Sequence, residues 1–352
     1  MRPFIYQPTA TRVVFGPGAL QRLGEEIDRL GARRALVLST PEQAASARQV
    51  ADLLGERAAG LFSRAVMHVP IETARAAREE AARLGADCAV AIGGGSTTGL
   101  GKAIALESPF PILAIPTTYA GSEMTPIWGI TEAGVKKTGR DPRVLPRTVI
   151  YDPELTLTLP YAMTVTSALN AIAHAAEGLY AHDGSPVLEL LAEQGIRASA
   201  AALGPLQANP RDLHARSDAL YGAWLCGMVL GSAAMGLHHK LCHTLGGSFN
   251  LPHAEVHTVV LPHALAYNAS AAPGAMARIA RALDADNAPR AVYDLARRHG
   301  APTSLAALGM PADGLDRAAD LAASTPYPNP RPLDRQALRE LLQRAHEGLP
   351  PA

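Results

Sequence analysis

Cys88-Ala-Val-Ala-Ile-Gly-Gly-Gly-Ser96 begins as a short apolar run and ends in three glycines and a hydroxyl, with helical spacing following through Ala105. A run of that length bounded by a turn signal reads as a fully buried strand. The pattern repeats on either side. Arg34-Ala-Leu-Val-Leu38 and Pro111-Ile-Leu-Ala-Ile115 read as further strands, and Thr73 to Leu84 as an amphipathic helix. Strands alternating with helices predict a parallel sheet with crossover connections. An α/β dinucleotide-binding domain is therefore expected over residues 1–157.

After Asp152-Pro153 the character changes. From Tyr161 onward the chain is rich in Ala and Leu at helical spacing, with few β-branched runs. An all-α domain over residues 158–352 is expected, divided by breaks at Gly204-Pro205, Asn209-Pro210, Pro252 and Gly300-Ala-Pro302. A proline-dense loop, Pro326-Tyr-Pro-Asn-Pro-Arg-Pro332, precedes a final helix from Asp334 to His346.

A length of 352 residues suits two domains rather than one core. The formal net charge of zero and the lack of a basic stripe argue against a nucleic-acid partner. Three cysteines, far apart and without a CxxC pair, fit a reducing compartment. The N-terminus lacks the pattern of a secretory signal, and no apolar run is long enough to span a bilayer. A cytoplasmic protein without a membrane partner is expected.

The turn Gly93-Gly94-Gly95-Ser96 lies between strand and helix, where glycines let a backbone approach a pyrophosphate and the helix start offers free N–H groups. It is not the GxGxxG fingerprint, and alone it is equally a tight turn. Thr117 and Thr118 add hydroxyls at a second strand end. The Arg34–Leu38 strand ends in Ser39-Thr40-Pro41, with no acid to grip a ribose 2′-hydroxyl or repel a 2′-phosphate. The expected cofactor is NADH, with loose discrimination against NADPH.

Half of the twelve histidines fall between His238 and His263. On helices, Asn170 and His174 share a face, as do His239 and His243, and His253 follows ten residues later. A single histidine is ordinarily a core or surface residue, but paired spacing joins these into one candidate site. His238, His257 and His263 read as structural, and His68, His182, His214, His299 and His346 as surface.

The run His239-Lys-Leu-Cys-His243-Thr-Leu-Gly-Gly-Ser-Phe-Asn-Leu-Pro-His253 resembles the His-x3-His-x9-His signature of the iron-containing (group III) alcohol dehydrogenases. The glycine turn and Pro116-Thr-Thr118 resemble that family's cofactor motifs. The resemblance spans nearly the whole chain. It implies the dehydroquinate synthase-like fold, an α/β dinucleotide domain followed by a helical one, and a homodimer. Metal-using members carry Asp one turn before the first histidine, where this chain has Asn170. Many also carry Asp after the glycine motif, where this chain has Thr97-Thr98-Gly99. These departures, with Ile115–Gly129 and Thr138–Pro146, resemble the branch that reduces the C=C bond of maleylacetate to 3-oxoadipate.

Physical chemistry points the same way. A divalent cation favours an anionic ligand, and Asn170 offers only a neutral oxygen. No metal is therefore expected, and the pocket becomes able to accept a small dicarboxylate. His243, His253, His239 and His174 are the candidate catalytic groups, because imidazole titrates near neutrality. The resemblance implies that His243 lies nearest the nicotinamide. Asn170, Tyr119, Thr166 and Ser167 are candidate substrate contacts. Lys136 is the one member of the basic run Lys136–Arg147 expected near the cofactor. Rival readings are a metal-dependent alcohol dehydrogenase, a lyase that uses NAD transiently, and a non-catalytic dinucleotide sensor.

Overall fold

The computed structural model describes residues 4–8, 10–133, 135–324 and 326–352. They form two compact units, one over Pro8–Leu159 and one over Pro160–Ala352, which also takes in residues 4–7. Nothing in the sequence pattern signals that the first residues group with the helical unit. Tyr6 packs there against Ala181, Leu188 and Ala233.

The α/β unit contains strands β1 (Arg12–Phe15), β2 (Ala35–Leu38), β3 (Ala58–Phe62), β4 (Cys88–Gly93), β5 (Ile112–Pro116), β6 (Ile127–Glu132), β7 (Val135–Arg140) and β8 (Thr148–Tyr151). Its helices are α1 (Leu23–Arg29), α2 (Ala44–Leu54), α3 (Ile71–Arg83) and α4 (Gly95–Ala105). Six strands make one sheet in the order β1-β8-β5-β4-β2-β3, with every pairing parallel. Apolar side chains cover both faces, as alternation along a strand requires. Val37, Val90, Ile92 and Leu113 enter one core, while Leu36, Leu38 and Ala89 enter the other with Leu100 and Ile104 of α4. Strands β6 and β7 form a separate antiparallel hairpin.

In the sheet register Gly93 lies opposite Pro116, and Thr117 N donates to Gly93 O at 3.1 Å. The two motifs at the carboxyl ends of β4 and β5 are thus neighbours, where ligands bind in open parallel sheets.

The second unit is wholly helical among the described residues: α5 (Tyr161–Tyr180), α6 (Pro186–Ala208), α7 (Leu213–Ser232), α8 (Leu237–Phe249), α9 (His253–Asn268), α10 (Pro273–Ala282), α11 (Ala288–Arg298), α12 (Leu315–Ala323) and α13 (Arg335–Glu347). Helix α5 is apolar on nearly all sides and buried from Thr164 to Leu179, the mark of a central helix. The expected break at Gly204-Pro205 does not occur; α6 runs through it to Ala208. Pro205 falls in the last turn, where little helix remains to be disrupted. No single helix among the described residues is long and apolar enough to cross a membrane.

Candidate active site

The glycine turn is a crowded cradle. Gly93 has φ +149°, and a Cβ there would stand 2.5 Å from Thr97 Oγ1 and 2.7 Å from Gln43 Oε1. Only glycine adopts that backbone without strain. A Cβ on Gly94 would come within 3.0 Å of Thr118 Oγ1. Gly94 caps α4 without any side-chain hydrogen bond, so the first-turn N–H groups of Gly95, Ser96 and Thr97 are left for another acceptor. Thr97 Oγ1 is buried and has no partner among the described residues. Free N–H donors at the positive end of a helix, beside an orphaned hydroxyl, fit a phosphate of a dinucleotide.

The strand ends around the turn are tied together by side-chain hydrogen bonds. Gln43 Nε2 donates to Thr117 Oγ1 at 2.7 Å, and Ser39 Oγ to Ser63 Oγ at 2.9 Å. Lys102, which the motif reading overlooked, is fully buried on α4. Its Nζ donates to Ser122 O, Thr125 O, Thr125 Oγ1 and Ile127 O at 2.7–2.9 Å, tying α4 to the loop after β5. Burial pushes the amine down to about 7, against the pull of Glu123. Glu123, also buried, accepts from Tyr151 Oη at 2.7 Å.

In the helical unit, α5 places Asn170, His174 and Glu177 on one face at i, i+4 and i+7. Helix α8 begins opposite Glu177, whose carboxylate is taken up by five donors. Tyr180 Oη and His238 N reach Oε1 at 3.1 and 2.9 Å, and Gly236 N, His239 N and His239 Nδ1 reach Oε2 at 3.0, 3.3 and 2.7 Å. A carboxylate at a helix start is electrostatically favoured. A carboxylate can only accept, so His239 carries its proton on Nδ1 and presents a lone pair at Nε2. His238 is fixed likewise, its Nε2 donating to His257 O at 3.1 Å.

These rings form a continuous group. Ring centroids of His174 and His239 lie 5.1 Å apart, those of His239 and His257 5.0 Å, and those of His253 and His257 4.2 Å. One ligand atom from each of His174, His239 and His257 lies within 4.8 Å of the others. Burial drives these imidazoles toward their neutral forms. His239 falls to about 3 and His238 to about 4, and His174 and His257 lie well below the ordinary value, with neighbouring imidazoles adding to the effect. Asn170 Oδ1, His174 Nδ1, His239 Nε2 and both nitrogens of His257 are buried with no partner among the described residues. So many unmet polar atoms in one place mark a site awaiting a ligand.

Residues 10–153 match the family profile "Iron-containing alcohol dehydrogenase", and residues 164–346 match "Fe-containing alcohol dehydrogenase family, C-terminal". The chain belongs to the iron-containing alcohol dehydrogenase family. Within it, the maleylacetate reductase of Burkholderia cepacia is 71% identical over the full length of both chains. That of Sphingobium indicum is 58% identical over 99% of each chain. The crystal structure of the Agrobacterium tumefaciens maleylacetate reductase superposes with a TM-score of 0.96 at 55% identity over both whole chains.

The donor set carries no charge of its own. The unmet atoms are an amide oxygen and imidazole nitrogens, all neutral, while the carboxylate beside them, Glu177, is already engaged. Of the histidines expected together, the structure joins His174, His239 and His253 through His257, and His243 lies beside them, its ring centroid 6.2 Å from that of His239. His257 and His238, read as structural, stand inside the group. The signal was present: His257 lies one turn after His253, and Glu177 one turn after His174. His299, read as surface, is buried and bonded to Tyr161 Oη at 2.7 Å; His68 and His346 are half-buried.

Thr166 and Ser167 are buried on α5, Thr166 Oγ1 donating back to Ala162 O at 3.3 Å. Tyr119 is fully buried, as a packing residue would be. Thr40 stands half-buried after β2. Lys136 lies on β7 with its stem over Gly129, and makes no hydrogen bond or ion pair among the described residues. Its neighbours Lys137 and Arg143 pair with Glu132 and Asp141 on the surface, the solvated role expected of most of that run.

Proposed function

We propose that this chain reduces the C=C bond of maleylacetate to 3-oxoadipate, using NADH or NADPH and no metal. The observation that carries the metal-free reading is the neutral, buried and unmet donor set of Asn170, His174, His239 and His257. A divalent ion placed there would lack an anionic ligand, because Glu177 is spent on five N–H and O–H donors. An organic acceptor suits the pocket better. Each neutral imidazole carries one N–H, so His174 and His257 bring two donors; one of them can satisfy His239 Nε2, and the other faces a ligand oxygen.

The Gly93–Ser96 turn with Thr117 and Thr118 would hold the cofactor, whose nicotinamide would supply hydride chemistry to the alkene carbon β to the ketone. Negative charge then develops on the ketone oxygen, and preorganised N–H donors in a dry pocket stabilise it. The resulting enolate takes a proton at the carbon next to the ketone, giving 3-oxoadipate. His239 is unsuited to give that proton, since Nδ1–H is held by Glu177 and Nε2 is a lone pair. His174 and His257 are buried and held neutral. His243 is exposed and His253 half-buried, so either can recharge from solvent, and we assign the proton transfer to His243.

The reading is tested by following NADH oxidation on addition of maleylacetate and identifying the product. Stoichiometric 3-oxoadipate is expected. Turnover of simple aldehydes with none of maleylacetate would favour an alcohol dehydrogenase instead.

A further inference from the structure

The proline-dense loop at 326–332 is pinned far more tightly than a connector needs. Asn329 and Asn268 exchange reciprocal amide hydrogen bonds at 2.7 and 3.0 Å. Tyr267 Oη donates to Pro332 O at 2.7 Å, and the Arg331 guanidinium lies 4.2 Å from the Tyr267 ring centroid. Four prolines remove much of the remaining backbone freedom. The loop also reaches the back of the imidazole site. A methyl on Gly236 would stand 3.2 Å from Pro328 O and 3.3 Å from Glu177 Oε1.

What this rigid loop holds in place is Tyr327. Its ring packs on the helical core, yet its hydroxyl is buried and has no partner among the described residues. Leaving a buried hydroxyl unmet is costly unless a ligand or water completes it. Burial and the nearby Glu177 charge raise the phenol, so it stays an O–H donor. Lys240, the residue after His239 on α8, is half-buried and brings its ammonium to 6.0 Å from the Tyr327 centroid. That is the outer limit of a cation–π contact. Among the described residues Lys240 has no carboxylate partner. An O–H donor on the pinned loop and, on α8, a cation without a carboxylate partner among the described residues, its ammonium 6.0 Å from the same ring, are the kinds of group that bind a carboxylate.

We infer that Tyr327 Oη and Lys240 Nζ form a carboxylate-binding subsite that holds one of the two carboxylates of the substrate. The inference rests on the dicarboxylate reading proposed above and extends it to residues outside the histidine cluster. Uniform binding of this kind acts on KM more than on kcat. Tyr327→Phe, which removes only the hydroxyl, and Lys240→Met are compared with the unaltered protein in steady-state assays with maleylacetate and NADH. The expected result is a KM for maleylacetate raised about tenfold or more in each variant, with kcat changed far less and the KM for NADH unchanged. Wild-type KM values for maleylacetate in both variants, or an equal rise in the KM for NADH, would overturn the subsite while leaving the reaction standing. No turnover of maleylacetate by the unaltered protein would remove the functional reading, and the subsite with it.

Discussion

Lys102 in the α/β unit finds four oxygens for its three N–H bonds, whereas His257 in the helical unit, equally buried, finds a partner for neither ring nitrogen among the described residues. The contrast extends to their surroundings. Around the glycine turn, side chains satisfy one another and, among the described residues, leave Thr97 Oγ1 and a helix start unfilled. Around Glu177, one carboxylate is saturated so that several neutral groups can be presented bare. The first region is a scaffold that offers backbone; the second offers side chains. A scaffold should fail through geometry, and a reactive cluster through chemistry.

The largest effect expected lies in the cluster. Replacing His243 by Ala should lower kcat about 10²–10⁴-fold, the usual span for a lost general acid, with little change in the KM for NADH. Retained kcat would shift the proton transfer to His253. In the scaffold, Gly93→Ala should instead raise the KM for NADH by about tenfold or more. The new Cβ would meet Thr97 Oγ1 at 2.5 Å on a backbone with φ +149°, a strain on the order of 1–3 kcal/mol. If that variant lost kcat without losing cofactor affinity, the division between the regions would be wrong.

A smaller effect separates them by pH. His239 and His238 are pushed down from 6.5 to about 3 and about 4, so both are neutral in the folded protein. The unfolded chain takes up these protons first as pH falls through 6.5. The stability contributed by keeping them neutral is thus complete above that value and drains away toward the folded values. Thermal midpoints recorded between about pH 8 and about pH 4 should fall on the acid side, and Glu177→Gln should alter that profile. The smallest effect concerns the cofactor. With Ser39 Oγ bonded to Ser63 and no acid among Ser39, Thr40 and Pro41 after β2, kcat/KM for NADH and NADPH should differ by no more than about tenfold.

Much of the fold was legible. The runs at 34–38, 88–92 and 111–115 are β2, β4 and β5, because central parallel strands need continuous apolar residues. The outer strands were not. Ala58–Phe62 contains no β-branched residue, and Arg12–Phe15 is too short to stand out from its surroundings. The second strand of the hairpin, β7, overlaps the start of a basic run, which masked it. At the site, helical spacing paired Asn170 with His174 and His239 with His243, but spacing alone gives neither tautomer nor burial. Glu177 organises the cluster through backbone N–H groups of α8, a contact across 59 to 62 positions that no local pattern carries. Lys102 was passed over for the same reason, since its partners lie 20 to 25 residues away.

The most direct test is elemental analysis of the active protein alongside NADH oxidation with maleylacetate, before and after exhaustive chelation. Substoichiometric iron and zinc with undiminished activity is the expected outcome. One tightly held metal ion per chain, with activity lost on its removal and restored on its return, would contradict a cleft worked by neutral imidazoles and an amide.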